Sequence, residues 1–599
     1  MILLLILAFQ IVGVNAKSIP VINAELAKKH LLELTTAGGR LTGSESEAKA
    51  AKYLAEQLKS MGLEPWQSQS FHHNFEFNAG TNLGKNNRLI VNDTDMIVDK
   101  DFRPLVFSGL GEFSQAPVVF AGYGITEPEG EKAGDNYDSY IHLDVTDKWV
   151  LVMRFMPEDI DADQRVKINR FSSDRNKVLN ARKHGAKGVI FVHGPNTIVK
   201  SELVPLSFDV STAKGSMPVI SISTDLANNW LKNMDKDWNA IQKKLDAGKF
   251  LMGFDIDGVE VSAHVDLIQD KKTGQNVIGV LKGSSELPAV ILGAHYDHLG
   301  HGETSTSLAR DEEAGKVHVG ADDNASGVSG LLLITEYLVH LKKQDKFSPK
   351  RDIIVAFWSG EELGLLGSND FVKKIGKDKL SEKIMANINL DMIGRLKDAA
   401  IIQGTGSSKQ WNDIVEQRNA PVGLNIVVQE DAYLPTDAMS FYLYNVPVLS
   451  AFTGSHTEYH SPRDTADLIN YEGIAKISKL VALIVRGLAL DEKPLDYQKQ
   501  KPKKNKDLRG GIRAYIGTIP DYANDVTGVL LSGTTKDSPA DKAGIKSGDI
   551  LIELAGTKIE NLYDFTYILE ALKIGKTVKA KVLRDGKEIE LDVTPGSRQ

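Results

Sequence analysis

The chain has 599 residues, of which 42% are hydrophobic and 25% charged, a composition of folded globular proteins and a length sufficient for several domains. Its formal net charge of −8 argues against nucleic acid as a general partner. There is no cysteine, so disulfides and a thiol nucleophile are excluded and stability must come from packing and metal.

The chain opens with an apolar stretch, Ile2-Leu3-Leu4-Leu5-Ile6-Leu7-Ala8-Phe9, that ends in the small-residue pattern Val14-Asn15-Ala16 before Lys17. Residues 1–16 therefore read as a secretory signal peptide, too short to span a membrane, and imply export to the periplasm or the medium. Arg40-Leu41-Thr42-Gly43-Ser44-Glu45 leads into helical spacing from Ala48 to Met61, closed by Gly62. Strand-like runs follow at Ala116 to Gly124, Lys148 to Met153, Gly188 to Val192 and Met217 to Ile222. A helical stretch, Lys177 to His184, lies between the second and third. Residues 101–264 are set apart as an insertion on this pattern. They resemble a protease-associated domain, a β-rich module of exported peptidases, with substrate gating and a purely structural role both open.

The chemistry lies further on. Ala289 to Leu292 is a buried-strand pattern that exits into Gly293-Ala294-His295-Tyr296-Asp297-His298. Arg351 to Trp358 is a second such strand, followed directly by Ser359-Gly360-Glu361-Glu362. A third, Ile384 to Leu390, delivers Asp391, and Val446 to Phe452 precedes the loop that carries His460. Helical patterns at Leu331 to Leu341, Gly364 to Lys374 and Ile474 to Leu488 separate the strands. This alternation predicts an α/β fold, a mostly parallel twisted sheet with helices on both faces. Such sheets carry their sites beyond the carboxyl ends of the strands, where all these polar residues fall. Two histidines and three carboxylates hold two Zn²⁺ ions if one carboxylate bridges, leaving one glutamate free as a base.

The phrases Gly293-Ala294-His295-Tyr296-Asp297, Gly320-Ala321-Asp322-Asp323-Asn324-Ala325-Ser326-Gly327, Ser359-Gly360-Glu361-Glu362, Asn389-Leu390-Asp391-Met392 and His460-Ser461-Pro462-Arg463-Asp464 resemble those of the dizinc aminopeptidase family, which includes glutamate carboxypeptidases. The resemblance implies a zinc peptidase domain over residues 17–100 and 265–492. It implies Asp323, three residues before Ser326, as the bridging carboxylate between a zinc on His295 and Asp391 and a zinc on Glu362 and His460. Glu361 becomes the general base and Asp297 the partner that orients His295. Tyr433, three residues before Thr436-Asp437-Ala438, stands where the family has an oxyanion-stabilising tyrosine, although the family often has Ser-Asp-His in place of that last triplet. His298, His301, His318 and His456 are read as loop or rim residues, because the ligand set is full without them. The implied activity is removal of N-terminal residues from peptides. A carboxypeptidase, a glutaminyl cyclase on the same fold, and a non-catalytic peptide-binding relative are the alternatives.

Residues 493–509 are Lys-rich and read as a solvated linker. Beyond it, Ser538-Pro539-Ala540-Asp541-Lys542-Ala543-Gly544-Ile545-Lys546-Ser547-Gly548-Asp549 resembles the signature of a PDZ domain, over 510–599. The resemblance implies that a peptide or protein ligand adds as an edge strand, with Tyr515, Ile516, Gly517 and Thr518 as the loop that holds its terminal carboxylate.

Overall fold

A computed structural model describes residues 22–127, 137–169, 171–197, 203–206, 215, 217–249, 251–303, 306–309, 311–500, 514–520, 526–535, 537–559, 565, 568–569 and 572–597. The leader, residues 1–16, lies outside the described residues, as do 501–509 of the linker. No helix among the described residues is long and apolar enough to cross a membrane.

Two amphipathic helices open the fold, α1 (Ala24–Thr36) and α2 (Glu45–Met61). Ser44 caps α2 by accepting from the Glu47 amide, and Gly62 ends it in the left-handed region, as the sequence anticipates. The long strands β1 (His72–Leu83) and β2 (Leu267–Leu281) pair antiparallel from Leu83↔Leu267 inward, and the insertion departs from the free end of this ribbon. Next come β3 (Ala289–His295), β4 (Ile353–Trp358), β5 (Ile384–Leu390) and β6 (Val448–Phe452). The sheet has nine strands, and β4-β3-β5-β6 form its parallel centre. Its flanks are antiparallel: β2 against β4 on one side, and Ala400–Gln403 against β6 on the other. The fold class is the one expected, with the parallel part concentrated at the centre.

β3, β4 and β5 are buried at every residue, as strands covered on both faces must be. Helices α3 (Gly327–Lys343) and α5 (Tyr471–Leu490), with α1, cover one face. Helix α4 (Leu366–Ile375) packs on the other.

The inserted domain has its own eight-stranded sheet and two hydrophobic clusters. Four of its strands run parallel in the order Gly111–Phe120, Trp149–Met153, Gly188–Val192 and Val219–Ile222. Its sheet takes in residues before the expected boundary at 101: Arg88–Val91 pairs with Phe254–Val265, and Thr94–Asp95 pairs with Arg88–Val91. The expected linker also begins later. Residues 493–500 are laid on the domain of the nine-stranded sheet, with the Gln500 side chain bridging Ala432 and Glu430 and the Tyr497 hydroxyl donating to the Tyr442 carbonyl. Past it, β7 (Val529–Thr534) lies in a six-stranded C-terminal sheet.

Candidate metal centre

The four central parallel strands deliver their polar residues to one edge. His295 is the last residue of β3, Asp391 follows the end of β5, and Glu361 and Glu362 follow β4 after a glycine whose φ of 72° turns the chain. Asp323 reaches the same place from the segment before α3. Gly320 makes this possible, because its φ is 51° and a Cβ there would meet the Asp323 carbonyl at 2.1 Å. Asp464 then fixes the segment: its carboxylate accepts from the Asp322 and Asp323 amides at 2.9 to 3.1 Å.

Asp323 turns one oxygen to each of two groups. Its Oδ1 lies 3.2 Å from His295 Nε2, which is 3.3 Å from Asp391 Oδ1. Its Oδ2 lies 3.2 Å from His460 Nε2, which is 3.1 Å from Glu362 Oε2. Ligand atoms about 2.0–2.1 Å from a tetrahedral Zn²⁺ sit about 3.3 Å from one another. The donor spacing therefore fits zinc. Each imidazole also presents its Nε2: His295 Nδ1 faces the Asp297 carbonyl at 3.3 Å, and His460 Nδ1 faces the Thr306 carbonyl at 3.0 Å. Such a backbone anchor on the far nitrogen is how metal-binding histidines are held.

Asp297 is fully buried and joins both halves of the site. Its Oδ1 accepts from the Glu361 amide at 3.2 Å and lies 3.7 Å from His295 Nδ1, while its Oδ2 accepts from the Thr42 hydroxyl at 3.0 Å. Burial raises the Glu361 carboxyl well above its ordinary range; His295 opposes this, and the carboxylates of Asp391, Asp437 and Glu362 reinforce it. For Asp323 and Glu362, burial pulls the same way but loses. Hydrogen bonds from His295 and His460 hold Asp323 well below its usual value, and His460 and His298 bring Glu362 to about 2. The two adjacent glutamates thus sit in opposite electrostatic surroundings.

Four residues gain a place that the sequence did not suggest. His298 is not on a rim: it is fully buried and donates from Nδ1 to Glu362 Oε1 at 2.8 Å, opposite His460. Its signal was the His-x-x-His spacing from His295. His456, also read as a rim residue, is buried with Nε2 3.2 Å from Asp322 Oδ2. His318, in the same reading, is fully buried against the Ser307 hydroxyl. Asp437 is fully buried, and burial pushes it up to about 7 against the lowering effects of His295 and Ser368. His298, His301, His318 and His456 all lie in loops, but only His301 is exposed.

The Tyr433 hydroxyl donates to the Gln500 carbonyl at 3.2 Å and its ring meets Tyr442 edge-on, so this loop is tied to the returning segment 493–500. In the C-terminal domain, Tyr515, Ile516, Gly517 and Thr518 form a loop in which Ile516 is buried and Gly517 has φ 78°. The Ile516 and Gly517 carbonyls accept from Ala540 and Thr535, so this loop is fastened to the helix Pro539–Ala543.

Comparison with known proteins agrees with this layout. Residues 276–485 match the model of peptidase family M28, residues 114–230 that of the PA domain, and residues 503–594 that of the PDZ domain. The chain is 27% identical over 277 residues to the probable leucine aminopeptidase 2 of Aspergillus oryzae, covering 41% of this chain and 51% of that protein. It is 25% identical over 372 residues to aminopeptidase YwaD of Bacillus subtilis, covering 59% and 70%. The chain thus spans about half the length of the first of these relatives. A stretch of 96 residues is 41% identical to a probable periplasmic serine endoprotease DegP-like protein of Marinomonas sp., covering 14% and 20%. Among solved structures, the aminopeptidase from Aneurinibacillus sp. strain AM-1 aligns with 80% of this chain and 98% of its own, at 21% identity and a TM-score of 0.47.

Proposed function

We propose, for a chain that carries a peptidase family M28 domain with an inserted PA domain and a C-terminal PDZ domain, that it is a zinc-dependent metallo-aminopeptidase. The observation that carries this is Asp323, whose two carboxylate oxygens face two separate histidine–carboxylate sets at 3.2 Å each. His295, Asp323 and Asp391 would hold one Zn²⁺, and His460, Asp323 and Glu362 a second. Zinc bound there would supply Lewis acidity to a scissile carbonyl and to the attacking water.

The remaining work belongs to the chain's own residues. Glu361, raised by burial and by its anionic neighbours, takes the proton of the water and passes it to the leaving amine. Asp297 holds the Glu361 backbone and the His295 ring in one frame, so the base and a ligand keep a fixed relation. His298 fastens the far oxygen of Glu362 and leaves the near one to face His460. A free α-amino group placed among these carboxylates orients the first peptide bond toward Glu361, which confines cleavage to the N-terminal residue.

Purified protein assayed on leucyl-anilide with and without a chelator tests the reading. Activity is expected to vanish with chelation and return with Zn²⁺, and an N-acetylated dipeptide should be a far poorer substrate than its free form. Comparable hydrolysis of the blocked dipeptide would move the assignment to a carboxypeptidase or endopeptidase. Export is tested separately, by N-terminal sequencing of the mature protein, which should begin at Lys17.

A further inference from the structure

The C-terminal PDZ domain packs against the rim of the metal centre. A crevice of about 520 Å³ lies between them. Its floor carries Arg395 and Lys397, four and six residues after Asp391, and one wall is the loop Thr453–Glu458 that leads to His460. The opposite wall comes from the PDZ domain, with Leu530 and Leu531 of β7 and the Ser547-Gly548 turn. Contact beside it is close: a Cβ on Gly533 of β7 would come within 2.3 Å of Thr457 Cγ2. Thr457 is β-branched and stiff, so only glycine lets the two domains meet there.

The charge of the crevice selects its occupant. Arg395 donates from Nη2 to Glu458 Oε2 at 2.8 Å, while its Nε is buried without a hydrogen-bond partner. Lys397 stands exposed beside it. Glu458, the one carboxylate of the lining, is already shared among Arg395, His456 and the Thr457 hydroxyl. The floor thus carries cationic charge in excess of its acidic partner, and a guanidinium fork suits a carboxylate. The crevice adjoins the ligand cluster through His456, a lining residue whose Nε2 lies 3.2 Å from Asp322, the neighbour of Asp323. An extended peptide advances about 3.3 Å per residue, so a few residues bridge such a separation.

We propose that this crevice is a subsite for the free α-carboxylate of a short peptide, anchored by Arg395 and Lys397 and walled by the PDZ domain. It makes the protein a short-oligopeptide aminopeptidase in which the PDZ domain limits substrate length. This rests on the amino-terminal reading above, and the test separates the two.

The test compares tri- to hexapeptides with a free or amidated C-terminus on the full-length zinc-loaded protein, taking the ratio of kcat/KM for the two forms. A ratio within one protein cancels any general loss of activity. The wild type should favour the free acid by about tenfold or more, as one charge-assisted contact allows, most strongly for the shorter peptides. Arg395→Gln and Lys397→Gln should bring the ratio toward one, and Gly533→Val, which wedges the domains apart, should lower it and flatten its length dependence. A wild-type ratio near one, or a ratio unchanged in all three variants, overturns the proposal. If neither form is hydrolysed, the aminopeptidase reading fails, and calorimetric titration with the same peptide pair still decides the subsite. Tighter binding of the free acid that depends on Arg395 upholds it, and equal binding of the two forms overturns it.

Discussion

At the scale of single residues, the pair Glu361-Glu362 gives the sharpest test, because adjacent side chains are held in opposite electrostatic states. Glu361→Gln should lower turnover by about 10²–10⁴-fold or more, the usual weight of general-base catalysis. Zinc content measured on the same sample should stay at the wild-type level; loss of metal along with activity would make Glu361 a ligand. The adjacent aspartates form a second contrast. Asp323→Asn should lower zinc content at both proposed positions, since in the proposed arrangement one carboxylate serves both. Asp322→Asn should retain most metal, because Asp322 spends its oxygens on the Gly394 amide, the Ser326 hydroxyl and His456. Equal metal loss in the two variants would put the bridge elsewhere. Much of this cluster was legible in the sequence: His295, Glu361, Glu362 and Asp391 lie at or just past apolar runs that read as buried strands, while Asp323 and His460 came from the family resemblance. His298 and Asp437 were not, since nothing in their local pattern tells how deeply the surrounding chain encloses them. The Tyr433 contact with Gln500, 67 residues away, is equally invisible in the local pattern.

At the scale of elements, the N-terminal segment is tied to the site by side chains that read only as helix and turn. Arg40 is fully buried and donates to the carbonyls of Leu34, Tyr296, Val319 and Gly320, which clamps the α1–α2 connection onto the exit of β3. Glu47 accepts from the Gly43 and Gln275 amides and from the Tyr296 and Ser359 hydroxyls. His30 joins α1 to α2 through the Tyr53 hydroxyl at 2.6 Å, and burial lowers its pKa from 6.5 to about 4. Its folded form is thus neutral where the unfolded chain binds a proton. Stability therefore falls as pH drops through 6.5 toward 4, by up to about 1.4 kcal/mol per pH unit for this one group. Thermal midpoints at pH 7 and pH 5 check this. His30→Gln, which keeps an acceptor for Tyr53, should lose less on acidification than the wild type, and parallel losses would sink the idea. The helices themselves were legible from spacing and caps, whereas these cross-ties join residues up to 280 positions apart.

At the scale of the whole molecule, the domain order was readable but its seams were not. The inserted sheet claims residues before 101 because Arg88–Val91 pairs with Phe254–Val265, a contact across some 170 residues that no local pattern announces. Residues 493–500 look like solvated chain by composition, yet they are bonded to the sheet domain through Asp496, Tyr497 and Gln500. The β1–β2 ribbon has a consequence for how this architecture can be cut. The chain leaves at Leu83 and returns at Leu267, and these two residues face each other across the ladder. Topologically the insertion is a hairpin loop grown to domain size, so the sheet beneath it never needed the cargo in order to close. Replacing residues 84–266 with Asn-Gly should seal the ribbon with a two-residue turn. The shortened protein should fold, bind zinc and cleave leucyl-anilide. Failure to fold would mean that the graft has become a graft in name only, its own core now serving the trunk that carries it.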